Sequence, residues 1–254
     1  MMSSQSIFLI SAACIFAGAL FGLWLSRVVP EAHLRDNSRA TVKVVTGMIA
    51  TLAALVLGLL ISSANTSFDS VDTTITQSAA KIILLDRALA NYGPETKDAR
   101  EQLRTTVVAG IEMFWPGETA KGSGFEGFER AKGMEALQTK IRELTPTTDI
   151  QRELRSEAAK LSGDMLEARW LLIAQALHTI PTTFLVVLLF WLTMLHISFG
   201  LLAPRNATAI TMLFISALSV SGAMFLILEM YQPLDGMIKV SNAPLRKALE
   251  LLGR

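Results

Sequence analysis

The sequence predicts an all-α integral membrane protein with four transmembrane helices and a helical extramembrane insert between spans two and three. Three observations carry this expectation. The chain is too apolar for an ordinary soluble domain: 51% of its 254 residues are hydrophobic and 18% charged, and its mean hydropathy is +0.44. Apolar runs recur at the length a bilayer crossing requires, about 20 residues. Between the second and third of them lies one long polar stretch whose residues repeat at helical steps.

Residues 7–26 form the first run, and Arg27 and Pro30 follow where a cleavable leader would carry small residues, so it reads as an anchor. Its Gly18 and Gly22 form a G-x-x-x-G, which lets another helix approach closely. The only cysteine, Cys14, lies within it, which excludes an intrachain disulfide or thiolate cluster. Residues 44–64 form the second run and 207–231 the fourth. The third, residues 171–203, is 33 residues long, more than one crossing needs and too few for two. It reads as one helix, continuous with residues 149–180 and kinked at Pro181.

The implied domains are 1–65, a first helix pair; 66–169, the insert; 170–232, a second pair; and 233–254, a tail. No glycine or proline interrupts the sequence from the end of span two to "YGPE" at 92–95, where Gly93 is placed to end a helix and Pro94 to restart one. Leu57, Ile61, Ala64, Phe68, Val71, Ile75, Ser78, Ile82, Leu85, Leu89 and Tyr92 alternate at steps of four and three. Span two and its extension therefore share one heptad seam, and the helix continues ~40 Å past the apolar run. Leu154, Ala158, Leu161, Met165 and Ala168 form a facing stripe. Further helices are expected at about 96–114 and 128–144, with the glycine-rich "WPGETAKGSGFEGF" between them as loop.

Sites for chemistry are few. His33, His178 and His196 are the only histidines, and the last two are 18 residues apart on one expected helix, about 27 Å, too far to share a metal. There is no H-E-x-x-H, G-x-S-x-G or phosphate loop, so no enzyme, cofactor or metal is implied. Glu229 is the only acid within a span and reads as an interfacial group at its exit. Asp86, inside "IILLDRALA", requires a partner, and Arg100 or Arg104 is the candidate.

A second stripe on the span-two helix holds Gly47, Thr51, Ala54, Gly58, Ser62, Asn65, Asp69 and Asp72, all small or polar and all at steps of three or four. In a membrane such a face meets another helix or water, not lipid. Two readings are open: close packing within one chain, or several copies around an axis with these residues lining a pore.

The stretches "ATLAALVLGLLI", "SFD" (67–69), "LLDRALANYGPE" (84–95) and "QPLDGMIKVSNAPL" (232–245) resemble the bacterial bestrophin-like domain family of four-span membrane proteins. That resemblance implies four spans around a helical insert and similarity to bestrophin anion channels, which are pentamers with a pore lined by the second transmembrane helix. The leading expectation is an oligomeric channel or channel-like protein in the bacterial inner membrane. Its expected partners are the lipid bilayer, further copies of the chain and ions, with no nucleic acid. The alternative is a membrane-anchored helical scaffold or sensory module without a pore. Basic residues weakly favour a cytoplasmic insert with both termini cytoplasmic: Lys81, Arg155, Lys160 and Arg169 on the insert's flanks outweigh the short loops only if flanks are counted.

Overall fold

The computed structural model describes residues 4–30, 36–115, 126–176, 180 and 182–253. Among them there are eight α-helices and no strand: α1 (Ser4–Val28), α2 (Asp36–Tyr92), α3 (Lys97–Phe114), α4 (Glu126–Glu143), α5 (Asp149–Ala176), α6 (Thr182–Leu202), α7 (Ala207–Met230) and α8 (Ala243–Leu251). Helices α1, α2, α6 and α7 are each long and apolar enough to cross a membrane. The chain is thus an all-α membrane protein with four candidate spans.

Two compact units divide the chain, Met1–Ser67 with Thr179–Ile238, and Phe68–His178 with Lys239–Arg254. Helix α2 runs 57 residues without a break and contributes to both.

The first unit packs α1 against α6 and α7. A side chain at Gly22 would collide with the Ile197 backbone carbonyl, and one at Gly200 with the Ala19 carbonyl. The two helices therefore touch backbone to backbone, the use expected of the glycine pair in α1, with Gly200 as the reciprocal partner on α6. Phe8 and Phe16 of α1 meet Phe225 and Phe214 of α7 edge to face. Arg205, in the short α6–α7 connection, donates to the Ser26 carbonyl at the end of α1. Asn206 then caps α7, its side-chain oxygen accepting from the Ala209 N–H at 2.8 Å. The interior is apolar: Ile15, Ala53, Leu188, Leu192, Ala217 and Met224 are buried together.

The second unit is built on the seam of α2. Val71, Ile75, Ile82, Leu85, Leu89 and Tyr92 are all buried, and Ile82, Leu85 and Leu89 share a core with Leu103, Leu137, Ile141, Ala158 and Met165. The α2–α3 corner needs a glycine, since Gly93 has φ +139°, which side chains resist. A 3₁₀ turn, Pro94–Thr96, follows, and the Thr96 hydroxyl ties the corner to the Leu89 and Gly93 carbonyls.

One expectation is corrected. The third apolar run is not one helix continuous with residues 149–180: Ile180, between α5 (Asp149–Ala176) and α6 (Thr182–Leu202), is not helical. A proline disfavours helical geometry in the residue before it, which is Ile180 here. The kink expected at Pro181 falls on a residue outside those described, as do Leu177, His178 and Thr179. The segment after α7 also holds a helix that was not expected. In α8, Ala248 is fully buried and Leu252, just beyond it, is 6% exposed, both within the second unit's core.

Candidate functional site

Helix α2 sorts its residues by angle. At roughly 100° per residue, its membrane half presents three strips. The first is the buried seam, with Ala53 and Ala64 almost fully enclosed. The second is an exposed apolar strip: Val44, Met48, Leu52, Leu55 and Leu59. Between them lies the small and polar strip.

All eight positions of that strip, Gly47, Thr51, Ala54, Gly58, Ser62, Asn65, Asp69 and Asp72, are exposed on the single chain. A Cβ placed at Gly47 or Gly58 would meet nothing within 4 Å. The Thr51 hydroxyl donates back to the Gly47 carbonyl at 2.9 Å, so its polarity is partly spent within the helix. The eight residues share one face of one helix. The face stays open in one copy of the chain.

Three other polar features stand apart from the strip. Glu229, near the end of α7, is 2% exposed and accepts from the backbone N–H groups of Met237 and Ile238. It folds the "QPLDGMI" turn back on α7, which is a different role from the interfacial group expected. Gly236 takes φ +103° at that turn, where a side chain would strike the Glu229 carboxylate. A lone acid in a span followed by "DG" within a few residues was the available signal. Nearby, the Tyr231 hydroxyl donates to Ser63 on α2 at 2.7 Å.

In the second unit, Asp86 has the partner its setting demands. Arg100 grips it with two bonds, 2.7 Å and 2.9 Å, and the Gly253 N–H adds a third at 3.3 Å. This hydrogen-bonded pairing holds the Arg100 pKa above the usual arginine value. A cleft of about 520 Å³ opens beside the pair, bordered by Gly93, Lys97, Arg104 and Leu252. Of the histidines, His33 and His178 lie outside the described residues. His196 is buried, its ring nitrogens bonded to the Leu192 carbonyl and the Ser216 hydroxyl.

A search of curated proteins finds no match to this sequence. The fold is shared with two crystal structures of a bacterial bestrophin homologue from Klebsiella pneumoniae. One has a TM-score of 0.67 at 12% identity, covering 97% of this chain and 96% of that one. The other, carrying a single substitution, has a TM-score of 0.65 at 13% identity, covering 94% and 96%. At such identities the likeness is one of fold. The sequence itself matches the bestrophin-like domain over residues 13–245, nearly the whole chain, and the chain therefore belongs to the bestrophin-like family.

Proposed function

We propose that this chain is the subunit of a homo-oligomeric, channel-like membrane protein whose central axis is lined by the small and polar strip of α2. The observation that carries the reading is the exposure of all eight strip residues in one copy, beside a seam that is buried. Lipid is a poor neighbour for Thr51, Ser62 and Asn65, whereas an aqueous axis shared by several copies suits them. The small side chains leave room for such a pathway. The exposed apolar strip alongside would meet lipid or the next copy. Membership of the bestrophin-like family supports the same reading.

Asp69 and Asp72 lie one and two turns beyond the end of the apolar run. In a ring of subunits they would form stacked acidic rings, which gather cations and exclude anions. The expected conductance prefers cations. The setting is the bacterial inner membrane, with the insert and both termini in the cytoplasm.

The experiment has two stages. The protein in detergent should measure as a multiple of its 27.6 kDa chain; a strict monomer removes the channel reading. In reconstituted bilayers under a salt gradient, Asp69→Asn with Asp72→Asn should move the reversal potential towards the anion side while leaving assembly intact. An unchanged reversal potential in a conducting protein eliminates these acids as the filter. Absence of conductance from well-folded oligomers turns the assignment to a membrane-anchored scaffold, in which α2 holds a partner-binding unit.

A further inference from the structure

A second, smaller cleft of about 80 Å³ lies in the unit formed by Phe68–His178 and Lys239–Arg254. Its walls are almost wholly apolar and include Ile111, Phe114 and Trp115 of the α3 end, with Met165 and Leu172 of α5. Ser78 and Thr106 add hydroxyls, and the one charged lining residue is Arg169, which is half-buried at its edge.

The polar groups nearby are mostly committed. Ser78 and Thr106 donate to carbonyls of their own helices, Thr74 and Gln102, each at 2.7 Å. The Trp115 indole N–H donates to the Val240 carbonyl at 2.9 Å. Arg169 differs. A guanidinium has five N–H donors, and among the described residues the acceptor it meets is the Met113 sulfur at 3.4 Å, a weak one. Among the described residues it forms no ion pair with a carboxylate. Burial lowers its pKa from the usual arginine value, and Glu135 acts against this through space. A half-buried guanidinium that meets a thioether in place of water, with no carboxylate at ion-pair distance among the described residues, is under-satisfied. An anion delivered to it would satisfy those donors.

We propose that the cleft is a binding site for a short-chain aliphatic monocarboxylate, its carboxylate on Arg169 and its hydrocarbon end against Ile111, Met165 and Leu172. Volume sets the size: drug-sized ligands occupy roughly 300–1,000 Å³, so the occupant here is a few carbons long. One planar fork suits one carboxylate, which sets the charge. This site lies outside the α2 strip, and its test does not depend on whether the protein conducts.

The probe is butyrate, compared with its uncharged isostere butyramide, titrated into the full-length protein in detergent at constant ionic strength. Butyrate should bind and raise the unfolding temperature, and butyramide should do neither. Arg169→Gln should weaken butyrate about tenfold or more, the usual loss for a charge-assisted hydrogen bond, and Arg169→Lys should retain part of the affinity. The second variant guards against misfolding. A Cβ placed at Gly110, which lines the cleft, meets no atom within 4 Å. Gly110→Leu should therefore fill the cleft, abolish butyrate binding and leave the unfolding temperature no lower than wild type. Equal response to butyrate and butyramide, or undiminished butyrate binding by Arg169→Gln or by folded Gly110→Leu, overturns the proposal. Tighter binding of laurate than of butyrate would show that the occupant is a membrane fatty acid and refute the short-chain assignment.

Discussion

Asp86 is 2% exposed, and an isolated carboxylate at that depth is not tolerated in ionised form. Its cost is offset by geometry: two near-parallel bonds from one planar guanidinium, the arrangement that distinguishes arginine from lysine. Removing one partner strands the other. Asp86→Ala should cost about 3–5 kcal/mol, the range for breaking a buried pair, whereas the exposed Lys97→Ala should stay within about 0.5 kcal/mol. Thermal unfolding in detergent measures both, and a wild-type profile for Asp86→Ala would refute the pairing as a source of stability. The need for this pair is visible in the sequence, since "IILLDRALA" sets an acid among apolar residues. Which arginine answers it is a matter of the corner at Gly93, whose left-handed φ aims the start of α3. The third bond, from Gly253, is hidden because nothing local links the last residues to Asp86.

Among the elements, α2 shows how far periodicity carries. Steps of four and three from Leu57 to Tyr92 identify the buried side of a 57-residue helix with one clear exception, Ile61, which is 46% exposed. A step of four overshoots a full turn by about 40°, so Ile61 swings from the seam towards the polar strip. Ile82 and Leu85 are 4% and 0% exposed. Replacing both with Asp should cost several kcal/mol and leave the second unit unfolded or degraded. Protease resistance and melting equal to wild type would mean that the seam is not buried. Helix α8 was also legible, though it went unread: Leu245, Ala248, Leu249 and Leu252 repeat at helical spacing, with Pro244 in the first turn. The break before α6 was missed for the opposite reason. Thirty-three mostly apolar residues outweighed one proline, although proline removes a backbone donor whatever surrounds it. The strip on α2 was legible as a pattern, but its exposure was not, because sequence alone does not tell which helices cover which faces.

At the scale of the whole molecule, two spans, α6 and α7, separate the α3–α4 connection from the C-terminal segment. Reporters placed after Gly122 and after Arg254 should therefore lie in the same compartment, and in the cytoplasm if the basic flanks of the insert govern orientation. Opposite compartments would mean that one of these helices does not cross. Such parity was readable from hydropathy alone, whereas the division into units was not. It depends on residues far apart in sequence, since Ala248 and Leu252 share a core with side chains from α2 to α5.

That discontinuity has a consequence in time. Synthesis delivers the chain from its first residue onward, so α2 to α5 emerge with a core that still lacks one of its pieces. Ala176 ends α5 and Leu252 lies 76 residues later; at 5–20 residues per second the gap is roughly 4–15 seconds. Until then the apolar groups awaiting α8 stay uncovered. A nascent chain that stalls before α8 keeps this surface uncovered, while one that has made α8 conceals it. Closure of the second unit therefore waits until α6 and α7 have been made.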